Sequence, residues 1–336
     1  MSAAALSFEL DEPVLLTGAG SPVRIEPLAD GRRRVVVQDA SALYGACPEC
    51  TTSYPAALIR EIYATKGSYV CDEIRRDEDP GYVEHSIRHE IYGYIDPAQF
   101  AGKRVLDFGC GSGASTMVLC RLLPRCELVG VDLEERLLRL ARLRALHFNR
   151  QDVRFLRSPS GEMFPEGLGR FDYIILAAVY EHLLPRERRE LLPRLWERLK
   201  PGGVLFLNQT PHRYSPLEWH TTGLPLINYL PDGLALRAAR RFSRNVPPDA
   251  TWEQLLREGI RGATVGEILG TLRSCGMPVL LEPRPELGDQ IDLWYGKLSR
   301  RDAPIKRAAR TVLKCLKPLG GIHLIPHLAL AIRKQA

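Results

Sequence analysis

The run Gly109-Cys110-Gly111-Ser112-Gly113 lies between an apolar segment, Val105-Leu106-Asp107-Phe108, and an apolar-periodic one beginning at Ala114. A strand that feeds a glycine turn into a helix start brings backbone N–H groups close to a nucleotide-like ligand. Asp132 ends the next apolar run, Glu127–Asp132. A carboxylate there can accept hydrogen bonds from both hydroxyls of a ribose. It can equally cap the helix that follows, as Asp does before an apolar-periodic run. Further on, Tyr180-Glu181-His182 follow a fourth apolar run, and the imidazole of His182 has the range for moving protons near neutrality. His212, Tyr214, Glu218, Trp219, His220 and Tyr229 combine imidazoles, a carboxylate and aromatics. Such a set suits an acceptor pocket, or a lid whose aromatics pack on the core.

Two other groups are weighed and set aside. Cys47 and Cys50 form one CxxC, with Cys71 as a third thiol, but a closed zinc site wants four ligands and no second CxxC exists. Free cysteines are expected and no metal site is assigned. The acidic stretch Asp72, Glu73, Asp77, Glu78, Asp79 reads as a solvated loop; the alternative is carboxylates offered to a cationic acceptor.

The elements that position these residues alternate. RVLDF (104–108), ELVGVD (127–132), VRFL (153–156), FDYIILAA (171–178) and VLFLNQT (204–210) read as strands, separated by the helical stretches from Ala114, Leu133 and Arg186. The strands are apolar throughout rather than alternating, as expected when helices cover both faces of a parallel sheet. PVLLEP (278–283) and HLIPHLALAIRK (323–334) read as further strands, with Pro326 predicting an edge position or a bulge. Residues 1 to about 40 suggest a small β element, and 56–67 and 82–95 read as helices. The segment after residue 211 is rich in Pro, Gly and aromatics and reads as an active-site loop or lid, followed by helices at 251–260 and 264–276. The predicted division is an N-terminal extension over 1–96, a core over 97–211, a lid over 212–263 and completion of the sheet over 264–336.

The bulk numbers are those of a globular chain of 336 residues, 45% hydrophobic and 26% charged, with net charge +6. The excess gathers near the C-terminus, at Arg300, Arg301, Lys306, Arg307, Arg310, Lys314 and Lys317, and reads as the wet face of an amphipathic helix. No RNA-binding appendage is recognisable, so no nucleic-acid partner is expected. No signal peptide and no transmembrane stretch is read, and the eight cysteines follow no extracellular pattern, which predicts a cytoplasmic protein. Oligomeric state is not legible.

Glycines at 109, 111 and 113 depart from the dinucleotide fingerprint, which wants its third glycine where Ala114 stands, although that fingerprint tolerates Ala. VLDFGCGSG (105–113), VGVDLEE (129–135), FDYIILAAVYEHL (171–183) and LKPGGVLFL (199–207), in this order, resemble the successive motifs of class I S-adenosylmethionine-dependent methyltransferases. The resemblance covers residues 97 to 211 closely and the closing strands more loosely. It implies a doubly wound, Rossmann-like, mostly parallel seven-stranded α/β sheet, with S-adenosyl-L-methionine as cofactor. It places Gly109, Cys110, Gly111 and Gly113 beneath the methionine part of the cofactor, Asp107 near its amino group and Asp132, with Leu133 beside it, at the ribose. Ala177, Tyr180 and their neighbours to His182 would border the methyl group. Where the family often has an adenine-binding Asp, this chain has RSPSGEMFP, one residue longer, which leaves Ser160 or its neighbours to serve.

The expected activity is methyl transfer to an N, O or C atom of a small-molecule or sugar- or lipid-linked acceptor. His182, His212 and His220 are the candidate catalytic residues. The alternatives are a non-catalytic cofactor-binding partner or sensor, an RNA or protein methyltransferase and, less in keeping with the glycine spacing, a nicotinamide dehydrogenase.

Overall fold

The computed structural model describes residues 12–41, 43, 46–123, 125–161, 163–298, 303–317 and 325–335. Along the chain come β1 (Val14–Leu16), β2 (Val23–Pro27), β3 (Arg33–Val37), β4 (Glu49–Thr52), α1 (Ala56–Lys66), α2 (Val70–Glu78), β5 (Arg104–Phe108) and α3 (Ala114–Leu122). Then follow β6 (Glu127–Asp132), α4 (Glu135–His147), β7 (Arg154–Arg157), β8 (Phe171–Ala177), α5 (Pro185–Arg198) and β9 (Leu199–Pro211). The last part holds α6 (Asp232–Phe242), α7 (Trp252–Arg257), α8 (Val265–Arg273), β10 (Pro278–Leu280), α9 (Gln290–Lys297), α10 (Pro304–Leu316) and β11 (His327–Lys334).

The strands form a four-stranded sheet, β1-β2-β3-β4, and a seven-stranded sheet in the order β10-β11-β9-β8-β5-β6-β7. In the larger sheet β5, β8 and β9 run parallel, as do β6 and β7, while β11 and β10 close it antiparallel. This is the expected mostly parallel, seven-stranded α/β sheet. Val105, Leu106, Ile174, Ile175, Leu205 and Phe206 are all 1% exposed or less, which explains why these strands read as unbroken apolar runs.

The chain divides into two compact units. The first comprises residues 1–87 and 110–157. Its small sheet is antiparallel, and the inward residues Val23, Ile25, Val35 and Val37 share a core with Leu58, Ile59, Ile62 and Tyr63 of α1 and Leu140 and Leu143 of α4. Cys50 and Cys71 lie in that same core, and the Cys71 thiol points to the carbonyls of Val35 and Pro48. The acidic stretch is not a solvated loop. It forms α2, and Glu73 and Asp77 are turned inward, 7% and 1% exposed.

The reason is Arg144, fully buried on the apolar stripe of α4. Its guanidinium donates to the Tyr54 hydroxyl at 3.1 Å, to Glu73 Oε1 at 3.1 Å, to the Glu73 carbonyl at 2.9 Å and to the Ser112 carbonyl at 2.7 Å. Asp77 Oδ2 stands 3.3 Å away and also accepts from the Tyr54 hydroxyl. Burial pushes the Asp77 carboxyl up to about 6 against the pull of Arg144. For Glu73 burial raises and Arg144 lowers, and the net shift is downward.

The second unit comprises residues 88–109 and 158–336. Two elements there differ from expectation. Strand β9 begins earlier than expected, at Leu199 opposite Phe171, but Pro201-Gly202-Gly203 still turn, with Gly202 at φ +77°, and the pairing resumes at Val204 opposite Tyr173. A helix, α6, occupies part of the presumed lid and builds a satellite core from Ala235, Ala239, Val246 and Leu255. Strand β11 starts directly after Pro326 and has a register shift between Leu328 and Ala329, yet it lies inside the sheet rather than at its edge. Helix α10 carries the C-terminal basic residues, and Arg310 and Lys314 pair with Asp292 and Lys317 with Asp289. Arg300 and Arg301 lie outside the described residues.

Two outcomes follow from this packing. Arg144→Met leaves the buried carboxylates of Glu73 and Asp77 without their cation. It should lower the free energy of unfolding in urea by about 3–5 kcal/mol, and Arg144→Lys should not restore it, since one ammonium cannot make the forked contacts. His327, at the start of β11, has its imidazole pushed down to about 4 by burial, with the Lys297 ammonium and the His220 imidazole adding to the shift. Its folded-state value is therefore below its unfolded one, so stability is full above about pH 6.5 and falls as pH drops toward 4. Denaturant midpoints should show a loss of up to about 3 kcal/mol across that window, flattened in His327→Gln.

Candidate functional site

The glycine turn is built within the first unit by backbone bonds. Cys110 N donates to the Val131 carbonyl at 3.1 Å, Gly113 N to the Cys110 carbonyl at 3.0 Å, and Met117 N to the Gly113 carbonyl at 2.9 Å as α3 begins. Gly113 has φ +79°, and a Cβ there would stand 2.8 Å from the Cα of Ala141 on α4, a backbone atom that cannot give way. Gly111 has φ +53° with open space where a Cβ would point. The two glycines thus do different work: one admits a helix, the other leaves a face of the turn clear. The Ser112 hydroxyl donates to Glu73, and its carbonyl is held by Arg144.

Asp132, half-buried at the end of β6, accepts from Gly111 N through Oδ2 at 2.8 Å and from Glu134 N through Oδ1 at 3.0 Å. It therefore braces both the glycine turn and the approach to α4, whose N-cap position is taken by Glu134. Each carboxylate oxygen keeps lone-pair capacity beyond the bond described, enough for a vicinal diol. Beside it Leu133 is 46% exposed, an apolar surface next to a polar anchor. A clear face on Gly111, an acidic acceptor beside it and a helix start without a side-chain cap at Gly113 together fit a ribose-bearing, partly anionic cofactor. Asp107 is buried, 2% exposed. In the loop after β7, Ser158 donates to the Ser160 carbonyl at 3.0 Å, and the Ser160 hydroxyl accepts from Met163 N at 3.1 Å.

The second group belongs to the second unit. Strand β8 ends at Ala177, and Ala178 turns at φ +56°, a left-handed conformation costly for a residue with a Cβ, fixed by its N–H on the Asn208 carbonyl at 3.1 Å. The turn Tyr180–His182 follows. Tyr180 is 1% exposed, with the Arg188 guanidinium 4.8 Å above its ring, and burial raises the phenol's pKa. Glu181 is fully buried; its Oε2 accepts from the Thr210 hydroxyl at 3.0 Å, while its Oε1 has no hydrogen-bond partner. His182 Nε2 stands 3.8 Å from that oxygen, and its Nδ1 meets the Arg257 carbonyl at 2.6 Å. The His220 ring lies 5.6 Å from that of His182, and burial, then His182, lowers its pKa.

Of the three candidate histidines, His182 and His220 come together and His212 does not join them. His212 is 3% exposed, and its Nδ1 accepts from Tyr214 N at 3.2 Å, closing its own turn. Glu218 is likewise committed: one oxygen accepts from His220 N and Thr221 N, the other from Thr222 N and the Thr222 hydroxyl. Tyr214, Trp219 and Tyr229 are 46, 67 and 53% exposed, and the tyrosine rings stack at 6.4 Å. Sequence reasoning missed Arg144 and Asn208. Arg144 falls on the 137-140-144-148 face of α4, among apolar residues, which is a legible signal. Asn208, fully buried in β9 with both amide atoms unpartnered, gave none.

A family model described as a methyltransferase domain matches residues 106–205. A ubiquinone biosynthesis O-methyltransferase from Acinetobacter baumannii (strain ACICU) is 30% identical over 135 residues, which is 39% of this chain and 55% of that protein. One from Nitrosococcus oceani is 34% identical over 134 residues, with the same shares. The chain thus spans about half the length of the curated relatives it matches. Among solved structures, an O-methyltransferase family protein from Burkholderia thailandensis is similar at 15% identity and TM-score 0.44, covering 81% of this chain and 61% of that one. A glycopeptide N-methyltransferase complexed with sinefungin is similar at 20% identity and TM-score 0.33, covering 38% and 54%. Among the described residues no helix is long and apolar enough to cross a membrane. The matched segment opens in β5, takes in the glycine turn and Asp132, and ends in β9, so this part of the chain is similar to a methyltransferase domain.

Proposed function

We propose that the chain binds S-adenosyl-L-methionine and moves its methyl group to an oxygen of a small-molecule or sugar- or lipid-linked acceptor in the cytoplasm. The observation that carries the reading is Asp132, tied to Gly111 N at 2.8 Å with acceptor capacity left over, beside a glycine face that nothing fills. Oxygen is chosen over nitrogen and carbon because the curated relatives named above are O-methyltransferases. The free cysteines suit a reducing compartment.

In this reading Gly109, Cys110, Gly111 and Gly113 carry the methionine part and Asp107 its amino group. Asp132 accepts from the ribose hydroxyls, Leu133 gives apolar contact, and Ser160 stands toward the adenine. The cofactor's sulfonium supplies an electrophilic methyl group. What remains for the protein is alignment, exclusion of water and care of the acceptor's proton. Ala177 and Tyr180 border the acceptor. The Glu181–His182–His220 group meets its hydroxyl, because it joins an unsatisfied carboxylate oxygen to an imidazole whose side chain is 44% exposed. His212 supports the loop from which His220 projects.

Calorimetric titration with S-adenosylmethionine and S-adenosylhomocysteine should give micromolar binding, weakened at least tenfold in Asp132→Ala; binding of NAD in their place would overturn the reading. With labelled S-adenosylmethionine and a metabolite extract, His182→Asn and His220→Asn should slow turnover about 100-fold while cofactor affinity stays unchanged. If His212→Asn alone had that effect, the assignment of the site would be wrong.

A further inference from the structure

Glu181, His182 and His220 offer one ligand atom each, and the three atoms lie within 4.8 Å of one another, the one such group of three among the described residues. We propose that this group is a binding site for a divalent transition-metal ion, held by Glu181 Oε1, His182 Nε2 and a ring nitrogen of His220.

The chemistry of each donor is already set. Glu181 Oε1 is buried and lacks a hydrogen bond, while Oε2 is fixed by Thr210. A buried carboxylate oxygen without a donor costs free energy unless a cation or a proton meets it. The Arg257 carbonyl can only accept, so His182 Nδ1 carries the proton and Nε2 presents its lone pair. Carbonyl-oriented imidazoles of this kind are how proteins aim histidine at a metal. Arg257 is itself anchored to Glu187 at 2.5 and 2.6 Å, which keeps that carbonyl in place.

Room for the third donor comes from Gly259. Its φ is +95°, and a Cβ there would stand 2.7 Å from the His220 ring and 3.2 Å from Glu181 Cγ. The glycine lets the imidazole and the carboxylate approach from neighbouring segments. Donor atoms about 2.0–2.2 Å from a tetrahedral ion stand about 3.3–3.6 Å apart. The Glu181–His182 pair is at 3.8 Å and all three donors lie within 4.8 Å of one another, so a bound ion draws them together by side-chain rotation. Two imidazoles and one carboxylate suit zinc, iron(II), cobalt or nickel rather than magnesium or calcium. Three protein donors leave a position for water or for an oxygen of a bound molecule. Metal binding here does not depend on the methyl-transfer reading.

The test is direct. The full chain, stripped with EDTA and titrated with cobalt(II) near neutral pH, should bind one equivalent with visible d–d absorption and no thiolate-to-metal band in the near ultraviolet. His182→Asn and His220→Asn should each weaken binding at least 100-fold. Thr210→Val should weaken it about tenfold with unchanged circular dichroism. Because His182 is partly exposed, its variant remains a fair test even where His220→Asn fails to fold. No binding at millimolar cobalt, binding undiminished in His182→Asn, or a thiolate band showing capture by the cysteines would each overturn the proposal. So would loss of turnover in the histidine variants of a protein that binds no metal, which would assign the pair to proton transfer alone.

Discussion

Much of the first unit depends on one buried cation. Arg144 reaches out of α4 into the buried interior, and its fork meets Tyr54, Glu73 and the Ser112 carbonyl while Asp77 stands beside it. A guanidinium taken from water is costly unless all its donors are used. Here four of the five N–H groups make hydrogen bonds, and Asp77 adds a second carboxylate; the consequence is positional. Helix α2, the entry to α1 and the glycine turn are held to one point, so the turn's geometry is a property of the core rather than of the loop. The Ser112 hydroxyl on Glu73 closes the circuit. An apolar side chain at 144 could fill the volume but could not orient a carbonyl.

The second unit solves the opposite problem. Instead of surrounding a buried charge with partners, it leaves one oxygen of Glu181 without a hydrogen bond. Ala178 accepts a left-handed conformation, Arg188 donates to the Glu181 carbonyl at 3.1 Å, and Gly259 gives up its side chain to make space. Strain and an unmet polar atom in the same turn mark a place where stability yields to another requirement.

The sheet was legible because its strands are buried on both faces and so appear as uninterrupted apolar runs, and because Gly113, at φ +79° against the Cα of Ala141, stands where a side chain has no room. The acidic stretch before residue 80 was misread for the same kind of reason turned around. Charge density suggested solvent, and only the distant Arg144, brought in from α4, makes burial of Glu73 and Asp77 possible. The Pro201-Gly202-Gly203 turn was legible as well: it bulges out of the ladder, with Gly202 at φ +77°, between Leu199 opposite Phe171 and Val204 opposite Tyr173. Helix α6 escaped notice among residues that read as lid.

The histidines and carboxylates after β8 and β9 show why function fades faster than fold in a sequence. His212, Glu218 and His220 are the same residue types whether they touch a ligand or cap a turn, and nothing in their spacing separates the cases. Glu218 has every oxygen engaged by its own loop, so it holds His220 in place without being able to meet a substrate. His212 closes the turn at Tyr214. Glu181, with one oxygen unpartnered, and His182 differ from both, and with His220 they bring three donor atoms within 4.8 Å of one another. A glycine loop is recognisable from its residues because backbone geometry dictates them. A polar side chain acquires its role from which of its hydrogen bonds are already made, and that depends on residues far away in the chain.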